Sequence, residues 1–250
     1  MNRNFLFLIV LFFLGSNFIF SQKERIEHLQ TFDKRTLHFG YYLGINNIGY
    51  KVSYNSPFDY SPIPPEDKEL FVSIDESIGF NIGFIVDYRL HKNINLRFEP
   101  GLMSTSANLN FLNANIGPEN PFYNGTQITE RKFSGTYLHL PLLFKFSTNR
   151  LDNIRPYIIG GASYDYNFSS KESNSDDNYQ GEFRTNTSNF MYEVGIGMDF
   201  YFYFFKFSPS IRGVFAINDQ LVRDINPDSP WTEPIDYFGT RGIYLNLTFE

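Results

Sequence analysis

The stretch Ser77–Leu90, SIGFNIGFIVDYRL, constrains the fold more than any other part of the chain. Every second residue is large and apolar: Ile78, Phe80, Ile82, Phe84, Val86, Tyr88 and Leu90. Between them stand Ser77, Gly79, Asn81, Gly83, Asp87 and Arg89, with Ile85 as the exception. Successive side chains of a strand point to opposite faces, so this alternation makes one face wholly apolar. A helix would scatter the same residues around its circumference. In a soluble barrel or sandwich the apolar face is the core; in an outer-membrane barrel it meets lipid and the other face lines the interior. Glycine weakens a strand unless something needs the space. The crowded interior of a narrow barrel needs it, and the length suffices for a tilted strand to cross a bilayer.

The same pairing of bulky apolar residues with small or polar ones recurs. It is clear in Thr36–Tyr50, Ile94–Leu109, Phe133–Ser147, Asn189–Tyr203, Phe205–Ile217 and Arg241–Glu250. In Ile154–Phe168 the parity is ambiguous through Gly160-Gly161, which suggests a bulge. Eight strands result. Their connections alternate long and short: 53–69, 110–131, 169–187 and 218–239 are long and rich in Pro, Gly, Asn or Ser. The link between Tyr203 and Phe205 holds no Gly, Pro or Asn and reads as a very tight turn in an aromatic girdle. In an up-and-down meander all long loops then fall at one end. The expected fold is an all-β, eight-stranded antiparallel transmembrane barrel with four long outer loops, short periplasmic turns and both termini periplasmic.

The N-terminus reads as a secretory signal. Arg3 is the positive region, Phe5–Leu14 the apolar one, and Ser21-Gln22 the cleavage junction. The expected organisation is a signal over 1–21, a periplasmic segment over 22–35 and the barrel over 36–250. No later apolar run reaches membrane-helix length, so a membrane location requires a closed barrel. Aromatics make up 19% of the chain, as lipid-facing girdles would. A net charge of −6 gives no basic footprint for nucleic acid. Without cysteine there is no disulfide, thiol nucleophile or lipid-modified Cys.

By parity the interior holds Asp87, Arg89, Arg97, Glu99, Lys145, Glu193, Asp199, Lys206 and Arg212. Five are positive and four negative, which suits a structural ion-pair plug. A proton or ion path is the sharper alternative, and strand number disfavours a wide pore. His38 and His139 also point inward, as hydrogen-bonded lumen histidines. Glu172, Asp176 and Asp177 form a solvated acidic loop that could hold a cation. No nucleophile, metal-ligand or phosphate-loop motif is present, so no catalytic residue, cofactor, metal site or small-molecule substrate is expected.

The run Phe32–Asn46, FDKRTLHFGYYLGIN, resembles the start of the mature PorT (SprT) proteins of Bacteroidetes. Tyr137–Phe146, YLHLPLLFKF, with Arg155-Pro156-Tyr157 and Gly160-Gly161, is similar to the middle of the same barrels. The resemblance implies an outer-membrane component of the type IX secretion system, needed for export of cargo with a C-terminal sorting domain and, in gliding species, for motility. It implies other secretion subunits as partners, beside outer-membrane lipid and lipopolysaccharide, and no catalytic residues. The alternative from the residues alone is a structural or adhesion barrel that binds a ligand through its outer loops.

Overall fold

The computed structural model describes residues 26–54, 72–111, 130–173, 183–224 and 231–250. The signal segment with its Ser21-Gln22 junction, and Asp176 and Asp177, lie outside these residues.

Ten strand segments form one antiparallel sheet: β1 (Leu37–Tyr54), β2 (Val72–Glu76), β3 (Ile78–His91), β4 (Ile94–Phe98), β5 (Gly101–Phe111), β6 (Glu130–Ser147), β7 (Ile154–Asn167), β8 (Ser188–Tyr201), β9 (Lys206–Ala216) and β10 (Ile235–Phe249). Segments β2 and β3 continue each other across Ser77, and β4 and β5 across Glu99-Pro100, so the wall has eight strands. It closes on itself because β1 pairs with β10 on one side and with β3 on the other. Closure leaves no edge, which backbone in hydrocarbon requires.

The alternation read from the sequence sets the two faces. Phe80, Phe84, Ile158, Val194, Ile196, Ile211 and Ile243 project outward and are exposed. Tyr42, Asn81, Asp87, Arg97, Lys145 and Arg212 project inward and are buried. The inward glycines make room: a β-carbon at Gly83 or Gly101 would collide with the Tyr42 ring, which lies across the lumen. Its hydroxyl donates to the Glu99 carbonyl at 3.3 Å.

Four details differ from the sequence reading. The strand expected over 94–109 is broken at Glu99-Pro100, since proline has no N–H for the ladder. β10 begins at Ile235 inside the stretch expected to be loop, and β2 adds a piece before Ser77. There is no bulge at Gly160-Gly161: the β7 register to β6 and β8 runs through unbroken. The parity looked ambiguous because Ile159 is apolar yet faces inward, packed with Leu143 and Tyr157. The β8–β9 link is as tight as expected, with the Phe202 N–H donating to the Phe205 carbonyl at 3.0 Å.

The short turns at 92–93, 148–153 and 202–205 share one end with the start of β1 and the end of β10. Ahead of β1, Phe32–Lys34 forms a turn of 3-10 helix across that mouth. Phe32 stacks on His38 at 4.4 Å and accepts from its ring Nε2 at 2.8 Å through its carbonyl.

Candidate functional site

Among the described residues, the lumen collects ionisable side chains from many strands. At the short-turn end, Asp87 on β3 receives two hydrogen bonds from Arg97 on β4, at 2.9 and 2.6 Å, and one from Asn95. The same guanidinium donates to Glu250 at 2.7 Å and reaches Glu99 at 3.4 Å. Glu250 forms an ion pair with Lys206 at 2.8 Å. Beside it, the Lys145 ammonium donates to both Asp199 oxygens at 2.7 and 2.8 Å and lies 4.0 Å from the Tyr157 ring centroid. The Ser208 hydroxyl donates to Asp199 at 2.7 Å.

Midway along the barrel, Arg212 on β9 reaches Glu99 with one nitrogen and Glu193 with the other, the latter at 3.3 Å. His139 on β6 is held between two carboxylates, 2.6 Å from Asp165 and 3.1 Å from Glu193. A carboxylate at each ring nitrogen leaves neither free to take a proton from a hydroxyl, so the cluster lacks the nucleophile–base geometry of covalent catalysis. Eight of the nine residues expected in the lumen meet in this network.

Arg89 does not join it. It is half-buried, and among the described residues it makes no ion pair with the others. Arg89 keeps the regular register, opposite Asn95, but is the last residue of β3 to do so before the short turn at 92–93, so it stands at the rim. The structure adds Glu250 and Asp165 to the network, and His139 joins it from the inward position expected of it. Glu250 continues the inward set of Tyr244, Asn246 and Thr248, one step past the last strand residue. Asp165 was obscured by the ambiguous parity of β7.

The mouth at the short-turn end is covered by the segment before β1. Asp33 accepts a hydrogen bond from the Tyr201 hydroxyl at 2.7 Å and lies 3.4 Å from Arg155. Arg150 donates to the His28 carbonyl, and Asn153 donates to the Ile26 carbonyl at 2.9 Å. Lys206 sits 4.9 Å from the Phe32 ring centroid, so the cap touches the ion network directly.

The long-loop end is filled differently. Ile48, Met103, Leu109, Phe111, Phe183, Trp231, Ile235 and Phe238 are among the residues of one buried apolar cluster. Between the two regions lie Asn81 and Asn246, bonded at 2.6 Å, and Tyr244, which donates to the Met103 sulfur at 3.0 Å. Among the described residues no group of His, Cys, Asp and Glu could hold a metal ion. Outside the barrel wall, Glu172 accepts from the Thr187 N–H at 2.8 Å, and hydrogen bonding from Thr187, its side chain first and its backbone second, lowers the carboxyl below the ordinary value.

Three comparisons bear on this arrangement. A family model described as an outer membrane protein beta-barrel domain matches residues 20–222. No curated protein matches the chain. Among solved structures, the chain is similar to Ail, the attachment invasion locus protein of Yersinia pestis, crystallised with the heparin analogue sucrose octasulfate: 11% identity, 84% of this chain and 96% of that one, TM-score 0.36. It is also similar to outer membrane protein AlkL, determined by solid-state NMR in DMPC bilayers: 10% identity, 84% and 87% coverage, TM-score 0.37. With its closed ring of eight strands, apolar outer face and match over most of its length, the chain belongs to the outer membrane protein beta-barrel domain family.

Proposed function

We propose that this barrel is a non-enzymatic component of the type IX protein secretion system, with its termini and short turns in the periplasm and its long loops outside. The observation that carries the reading is the segment Phe32–Asn46, whose sequence resembles PorT proteins. It is a fixed part of the molecule: Asp33, Phe32 and His38 pin it across the short-turn mouth. A folded cap there offers a rigid face to other secretion subunits, and the filled lumen leaves rim and loops as the surfaces for partners. The second resembling run, Tyr137–Phe146, contributes His139 and Lys145 to the ion network. Possible support of gliding motility, and contacts with lipopolysaccharide, belong to the same reading.

The test is the secretome of a strain lacking the gene. Sorting-domain cargo should accumulate in the periplasm, and Asp33→Ala should weaken secretion without loss of the barrel from the outer membrane. Unchanged secretion in the deletion strain sinks the reading and turns attention to ligand binding by the outer loops.

A further inference from the structure

The outer wall of a narrow closed barrel is convex, so a hollow in it needs a local cause. Two of the hollows in the apolar outer face lie at interruptions of the strand ladder. The smaller, about 500 Å³, lies over the Glu99-Pro100 break, beside Phe84, Leu102 and Leu138. The larger, about 750 Å³, crosses β7, β8 and β9 towards the short-turn end. There the β8–β9 register reaches Gly197 opposite Ser210 and resumes only at Phe200 opposite Phe207. Pro209 sits in that gap and brings no N–H to the ladder. Gly197, which also lines the hollow, faces inward against the Tyr157 ring.

The sides of the hollow are Phe146, Ile158, Ile196, Met198, Ile211 and Leu245, and no charged residue lines it. Its volume lies in the range of small-molecule pockets, roughly 300–1,000 Å³. Polar ligands gain nothing from such a lining. Ile158 and Ile196 also belong to the outward apolar belt, at 58% and 64% exposure. The hollow is therefore continuous with the surface the barrel gives to lipid, and its occupant enters from the bilayer.

We propose that this hollow seats one acyl chain of a phospholipid from the leaflet at the short-turn end. Annular lipid slides over a convex wall. A chain in the hollow is held on three sides and exchanges more slowly. The choice of a phospholipid rests on the proposed periplasmic placement of the short turns, while the hollow itself does not depend on a role in secretion.

The test is native mass spectrometry of the full barrel, purified from membranes and washed in mild detergent. Wild type should retain one phospholipid. Ile196→Trp places an indole in the hollow from an outward position, and retention should fall about tenfold. Ile158→Trp should act alike from the neighbouring strand, and Tyr88→Trp, facing outward from β3 on the opposite side of the ring from β8, should change nothing. Heat-modifiable gel mobility confirms that each variant is a closed barrel. No retained phospholipid in wild type, equal loss or equal retention in all variants, or a retained glycolipid in place of the phospholipid would overturn the proposal.

Discussion

The two ends of the lumen are filled by opposite chemistry. Towards the short turns, two arginines, two lysines and six carboxylate side chains interlock around Arg97, Arg212 and Lys145. Towards the long loops, aromatic and aliphatic residues pack around Phe111 and Trp231, whose rings meet edge to face at 4.9 Å. The ionic region lies behind the wall that faces lipid. Its pairs are directional and tie β3, β4, β6, β8, β9 and β10 to one another across the barrel. The apolar region lies where the wall rises above the belt: Ser106, Ser134 and Thr136 replace apolar residues outside, while Thr105, Ala107 and Leu109 remain inside. There the barrel has the ordinary pattern of a soluble sheet, polar out and apolar in. The comparison teaches that the inside-out arrangement holds only as far as the lipid does. Where water replaces lipid, burial of apolar surface returns as the stabilising force, at about 1.5–3 kcal/mol for each large side chain.

The most severe way to break the ionic end is Arg97→Ala. It strands Asp87 and Glu250 in a buried site, and losing one partner of a buried pair costs about 3–5 kcal/mol. The expected outcome is a barrel that melts at much lower temperature or fails to close, read by heat-modifiable mobility in detergent. At the apolar end, Phe111→Ala should cost about 3–5 kcal/mol at the site. This loss should remain local, because the ionic end still holds the wall. Hydrogen exchange should rise at Trp231–Phe238, with little change in the melting of the whole barrel. If both variants melt alike, the two ends form one cooperative unit and the contrast fails.

The smallest effect is expected at Glu172, in the loop beyond β7. Its folded carboxyl is lowered by hydrogen bonding from Thr187. Its contribution is therefore present above the ordinary glutamate value and lost as pH falls through and below it, from about pH 4 downward. Glu172→Gln should shift barrel stability by less than about 0.5 kcal/mol. Exchange at the Thr187 amide should become faster at neutral pH and lose its acid dependence. An unchanged Thr187 amide would place the loop's order elsewhere.

Much of this molecule is written locally. The alternation in Ser77–Leu90 or Asn189–Tyr201 fixes which side chains leave the barrel, because a strand's period of two depends on nothing beyond the strand. The alternation of long and short connections fixes the meander and the shared end of the turns. Parity also names most of the inward charges. It does not say which of them meet. Glu250 reaches Arg97 only because closure of β1 on β10 and β3 brings the end of the chain beside β4. Arg89 has the inward parity but stands beside the short turn, beyond the pairs that Asp87 and Arg97 make. Asp165 reaches His139 through the register of β7 against β6, and the hollow at Pro209 arises from how β8 and β9 fail to pair. The sequence by itself determined the faces, strand number and handed-out ends of this protein, because these follow from local backbone geometry. The partners inside the lumen were decided only by closure and register, because these bring together residues far apart in the chain.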